Sequence, residues 1–186
     1  IFSYALPFLL GEDKSFDIFY ALSFVSARYT GTDPLTLAAV TAPVTHMFLH
    51  GGVLHLVMNI LSLMAFGGAL EKMTDGRTLL LIALTSGLAG AATQLIVSPL
   101  SDAPMIGASG AISGIFGALL LLMNKRRMMG EGAKGLRIFV ILWIVTSVFF
   151  GLAGLPGVSG NLAWATHIGG FLTGLATMSF LVKKNR

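Results

Sequence analysis

Residues 51–70 read GGVLHLVMNILSLMAFGGAL, twenty positions without an Asp, Glu, Lys or Arg. A helix needs about 20 predominantly apolar residues to cross a hydrocarbon core of roughly 30 Å. The segment therefore predicts a membrane-crossing helix. Its two most polar side chains, His55 and Asn59, stand one turn apart on one face of that helix. The whole composition agrees: of 186 residues, 55% are hydrophobic and 11% charged, whereas soluble domains carry about a quarter charged residues. Twenty-three glycines would weaken soluble helices, but in lipid small residues let helices approach closely, so this composition favours a tightly packed bundle. The absence of cysteine excludes disulfides and thiolate chemistry. The net charge of +4 comes from basic residues in short loops between apolar runs, a topology signal rather than a nucleic-acid surface.

Working outward, four more charge-free stretches are long enough to span: 78–97, 106–124, 138–156 and 162–182. With 51–70 they form spans two to six of an all-α membrane protein. Residues 1–10 are too short to cross and read as the outer end of a truncated first helix, the chain opening on Ile1. Residues 12–50 then form an outer, interfacial loop between helices 1 and 2. Gly11-Glu12-Asp13-Lys14 breaks the chain before it, and Arg28 and the turn signal Thr30-Gly31-Thr32-Asp33-Pro34 divide it. No repeat or linker divides the chain, so residues 1–186 make one domain.

If all five helices cross, the loops after spans two and four and the tail after span six share one side. Lys72, Arg77, Lys125, Arg126, Arg127, Lys134, Arg137, Lys183, Lys184 and Arg186 fall there, while Lys14 and Arg28 lie opposite among five acids. The positive-inside rule makes the basic side the inner one. His55, Ser109 and His167 each precede the first charge at the inner end of their helix (Glu71, Lys125, Lys183) by sixteen positions. At 1.5 Å per residue this is about 24 Å, which puts all three side chains roughly 6 Å below the outer face. Polar groups at that depth cost free energy and mark function by default. An isolated Ser in such a helix usually bonds its own i−4 carbonyl, the role expected of Ser62, Ser86, Ser113, Ser147 and Ser179. Histidine is harder to dismiss, and all four (His46, His50, His55, His167) lie near the outer ends of spans two and six.

Ser109 sits in Gly107-Ala108-Ser109-Gly110 at the start of span four. A helix N-terminus offers backbone N–H groups able to hold the oxyanion of a tetrahedral intermediate. Glycines flanking Ser109 admit a substrate backbone and a neighbouring helix. Gly110, Gly114 and Gly117 on span four, with Gly170 and Gly174 on span six, offer contact faces that would bring His167 to Ser109. Serine attack on a carbonyl needs a base, and His has the suitable unperturbed pKa. No Asp or Glu lies within a span, so the pair would act as a dyad.

The stretch from about residue 40 onward resembles the rhomboid family of intramembrane serine proteases. The likeness rests on His50-Gly51-Gly52-Val53-Leu54-His55-Leu56-Val57-Met58-Asn59, on Gly107-Ala108-Ser109-Gly110, and on Ala165-Thr166-His167-Ile168-Gly169-Gly170, in the family's order on its second, fourth and sixth helices. The resemblance implies a six-helix bundle with Ser109 as nucleophile and His167 as general base. His55 and Asn59 would join the Ser109 backbone N–H at the oxyanion, and His50 would have a structural or cavity-lining role. It implies endopeptidase action on single-pass membrane proteins, in or near their transmembrane segment, with no cofactor and no metal. The charge bias fits a bacterial plasma membrane with the site near its outer face. Two features depart from the family. The tyrosine that some members carry four residues after the nucleophile is Ser113 here, leaving Phe116 or Trp164 to orient His167, and the Trp-Arg pair of the first outer loop is missing.

Three rivals compete. A catalytically inactive rhomboid-like protein could bind membrane clients, but it would not need both Ser109 and His167. A metal or haem carrier could use His46 with His50, or His55 with His167, yet no HExxH pair exists and no carboxylate or thiol joins the histidines within the spans. A transporter would more often show an intramembrane carboxylate or internal repeats. The pattern leaves the oligomeric state open, because glycine faces used within one chain look like those used between chains.

Overall fold

A computed structural model of the chain describes residues 9–31, 35–126 and 164–184, with 138, 141, 142 and 145. The first helix expected over 1–10 lies almost wholly outside these residues, and so does most of the span expected over 138–156. The described residues form six helices: α1 (Glu12–Leu22), α2 (Leu37–Thr45), α3 (Val53–Met73), α4 (Gly76–Val97), α5 (Ser109–Lys125) and α6 (Trp164–Lys184). Of these, α3, α4 and α6 are long and apolar enough to cross a membrane, while α5 is apolar but has 17 residues. Among the described residues the only extended pairing is one antiparallel bridge between Phe24 and Met105.

The helix ends follow local chemistry. Gly76–Val97 starts two residues ahead of the expected span because the Asp75 side chain accepts a hydrogen bond from Thr78 N at 2.8 Å. That bond holds the Asp75 carboxyl below the usual carboxylate range. Helix α5 begins at Ser109, three residues after the expected start at 106. Gly107 has φ +111°, a left-handed backbone that ends the loop and cannot be part of a helix. Helix α3 carries a π-helical turn over Leu63–Gly67, one turn below Asn59.

The stretch expected as an interfacial loop holds α1 and α2 joined by a 3₁₀ turn, Ser26–Tyr29. Arg28, which interrupts the apolar pieces in the sequence, folds inward and is 8% exposed. Its guanidinium donates to the carbonyls of Tyr20 (2.9 Å), Ala21 (3.3 Å) and Ser23 (3.4 Å), and it lies 4.3 Å from the Tyr20 ring centroid. A cation on those last carbonyls complements the negative end of α1. Helix α2 buries Ala39 and Ala42 and leaves Leu37, Val40 and Val44 exposed.

Helices α4, α5 and α6 pack on one another through glycine. A Cβ on Gly170 would strike the Gly110 carbonyl oxygen, and one on Gly174 would strike that of Gly114. Such backbone approach is how helices gain contact in lipid, where no hydrophobic force drives them together. Toward the C-terminal ends of α3, α5 and α6 the packing becomes an apolar core of Leu70, Ile82, Ile115, Ala118, Leu119, Leu122 and Met178. Arg126 ties α5 to α3 at that end by donating to Met73 O at 2.8 Å.

Candidate active site

The end of the bundle that carries Ser109 is organised by the loop from Ser98 to Ala108. Met105 exchanges backbone hydrogen bonds with Phe24 (3.1 and 2.8 Å), and Ala27 N donates to Ser101 O at 3.1 Å. Thr30 Oγ1 donates to Pro99 O at 3.1 Å, and Gly107 N donates to His46 O at 2.9 Å. The segment from Phe24 to His46 therefore fixes the path of the chain into Ser109. Burial pushes the His46 imidazole below its ordinary pKa. This leaves it neutral, with Nδ1 at 2.9 Å from the Ala42 carbonyl.

Ser109 is the first residue of α5, where a backbone N–H has no acceptor within the helix. His167, in the first turn of α6, reaches across: its Nε2 lies 2.8 Å from Ser109 Oγ. Fifty-eight positions of sequence separate the two, so only the α5–α6 packing joins them. Gly110 and Gly170, flagged beside them in the sequence, sit in that contact.

From the other side α3 brings His55 and Asn59. Gly107 leaves room for the His55 ring, since a Cβ there would lie 2.8 Å from both Cε1 and Nε2 of His55 and 3.8 Å from Asn59 Nδ2. Both the positive φ and this close approach demand glycine. Asn59 is buried, and its Nδ2 donates to His55 O at 3.1 Å. An amide nitrogen carries two N–H groups, so this bond uses one. His50 packs edge-on against His55 with centroids 5.2 Å apart, and burial lowers its pKa too.

Ser113, on the position of the missing tyrosine, donates to Ser109 O at 2.6 Å, the i−4 bond expected of it. Ser86 does not follow that expectation: its buried Oγ has no hydrogen-bond partner among the described residues and presses against Gly114. Ser147 lies outside the described residues. Phe116, one of two side chains considered for orienting His167, has its ring against Phe66 (centroids 4.7 Å apart) and Phe171 (6.1 Å). Trp164, the other, opens α6 and is half-buried. The sequence reading passed over Met105 and Thr166. Their only sequence signal is a polar residue immediately before the histidine in an apolar span.

Residues 38–184 match the Rhomboid domain family. Rhomboid protease GluP of Bacillus subtilis (strain 168) is 38% identical over 130 residues, which cover 70% of this chain and 24% of GluP. Rhomboid protease GlpG of Salmonella paratyphi A (strain ATCC 9150 / SARB42) is 31% identical over 153 residues, 80% of this chain and 51% of GlpG. RHOMBOID-like protein 5 of Arabidopsis thaliana is 33% identical over 128 residues, 69% of this chain and 40% of that protein. The chain thus spans between about a quarter and a half of the length of these relatives. Its three apolar helices of membrane-crossing length and this likeness together point to an integral membrane protein. With the domain match running from α2 to the end of α6, the chain belongs to the rhomboid family.

Proposed function

We propose that this chain is an intramembrane serine endopeptidase that cleaves single-pass membrane proteins in or beside their transmembrane segments. The observation that carries the reading is the 2.8 Å contact between His167 Nε2 and Ser109 Oγ, made between two helices. Two of the relatives named above are called proteases, which supports the same chemistry.

In this reading Nε2 of neutral His167 takes the Ser109 proton as Oγ attacks the scissile carbonyl carbon. The carbonyl oxygen becomes an oxyanion and is met by the Ser109 backbone N–H, His55 and the second N–H of Asn59. Collapse of the intermediate breaks the C–N bond, and His167 returns the proton to the departing amine. His167 then deprotonates water, which hydrolyses the Ser109 ester and frees the enzyme. A substrate helix hides its carbonyls in internal hydrogen bonds, so it must unwind locally before attack. The spacing of sixteen positions from His167 to Lys183 supports a position for the pair near the outer face. The bacterial plasma membrane suits the inner basic loops.

The test is labelling of the detergent-solubilised protein by a fluorophosphonate, with Ser109→Ala and His167→Ala alongside. Label on the wild type and loss in both variants is the expected result. Equal labelling of Ser109→Ala would remove it as nucleophile. No labelling of any form, with a single-pass membrane substrate also left intact, would favour a client-binding protein without activity.

A further inference from the structure

Ser113 is bonded to Ser109 O, and the side chain next to the imidazole in sequence has partners of its own. Thr166 is 3% exposed, and its hydroxyl donates to Met105 Sδ at 2.8 Å. Met105 is itself held through its backbone by Phe24, and two residues later Gly107 N is held by His46 O. The Thr166 methyl fills the room left by two glycines on different helices. A Cβ on Gly90 would lie 2.8 Å from Thr166 Cγ2, and one on Gly110 would lie 2.5 Å from it. Thr166 is thus gripped by α4, by α5 and by the loop that leads into Ser109.

We infer that Thr166 is a positioning residue, whose hydroxyl, anchored on the Met105 sulfur, sets the rotation and depth of His167 against Ser109. Successive side chains on a helix point about 100° apart, so fixing one fixes the direction of the next. The methyl and the hydroxyl divide the work. The methyl packs α6 against α4 and α5, whereas the hydroxyl registers α6 against the nucleophile loop. A thioether is a weak acceptor, so the bond adds little to stability, but its direction matters where a 1 Å misplacement of a reacting group costs about 100-fold in rate. The inference rests on the dyad reading and adds to it the group that aims the base.

The experiment separates the two parts of Thr166. Thr166→Val keeps the methyl and removes the hydroxyl, Thr166→Ser does the reverse, and Met105→Leu removes the acceptor. For each, the maximal rate and half-saturation of fluorophosphonate labelling are measured on the full chain in detergent, together with the melting temperature. Thr166→Val is expected to lower the maximal rate about tenfold, the equivalent of one hydrogen bond, with half-saturation and melting unchanged. Thr166→Ser is expected to melt lower yet label near the wild-type rate. The Val–Leu double variant should label no more slowly than the slower single variant, because both break one contact. The opposite order, Ser slow and Val normal, would make Thr166 a packing residue and overturn the inference. Wild-type labelling by Thr166→Val, with Ser109→Ala unlabelled, would overturn it while the dyad stands. A wild type that neither labels nor cleaves would overturn both.

Discussion

Helices α5 and α3 carry the two sides of the site and are held in different ways. Every residue of α5 from Gly110 to Leu119 is buried, and Leu122 with them. On α3 only Asn59, Gly67 and Leu70 are buried. Its Val53, Leu54, Met58 and Met64 face outward, more than half exposed. In lipid an outward apolar side chain costs nothing, so α3 is no less suited to its place. It is held instead by a few points: Leu70 in the apolar core, the Phe66–Phe116 ring contact, Arg126 on Met73 O, and the fit of His55 over Gly107. The Ser109–His167 pair rests on backbone surfaces that interlock, whereas the His55–Asn59 pair rests on individual atoms. Change to the glycine surfaces of the first side should act through the fold, and change to His55 or Asn59 on the second through the chemistry.

The strongest attempt to break that contrast is the same substitution on each side, at Gly174 of α6 where it packs on α5, and at Gly68 of α3. Gly174→Val puts a side chain into the Gly114 backbone, which cannot yield. It is expected to abolish the native bundle, seen as loss of both the cooperative melting transition and fluorophosphonate labelling. Gly68→Val on α3 meets nothing within 4 Å and is expected to stay within about 1 kcal/mol of wild type. Equal melting of the two variants would show that the glycine contacts do not hold the pair. Next in size, Asn59→Ala should slow turnover by about 100- to 1000-fold, the loss seen when one oxyanion donor is removed, with the melting temperature kept. Unchanged turnover would take Asn59 out of the site.

The smallest effect concerns the segment that ends at His46. Burial depresses the His46 pKa in the folded protein below the unfolded value of about 6.5. As pH falls through that window the unfolded chain takes up a proton that the folded chain refuses, so stability drops with falling pH. It stops dropping on this account once the folded His46 also protonates. The melting temperature should therefore decline as pH is lowered from 7, and His46→Gln should flatten the decline. An unaltered slope in His46→Gln would assign the pH dependence to other groups.

Much of this was legible in the sequence, and the misses have identifiable causes. The helix starting at Ser109 was read as starting at 106, because hydropathy registers Ile106 and Gly107 as apolar but cannot register the positive φ of Gly107. Arg28 looked like a charge interrupting a loop, because its three carbonyl partners are defined only once α1 has formed.

The sequence by itself determined the helical class and the apolar solvent, and it singled out Ser109, His167, His55 and Asn59 as candidates. A bilayer imposes its length and its intolerance of polar groups on each segment separately, so these features can be read one segment at a time. Only the tertiary structure decided that His167 Nε2 meets Ser109 Oγ at 2.8 Å, that Gly107 gives way to His55, and that Thr166 reaches the Met105 sulfur. Those contacts depend on how small residues on different helices fit together, and no single segment carries that fit.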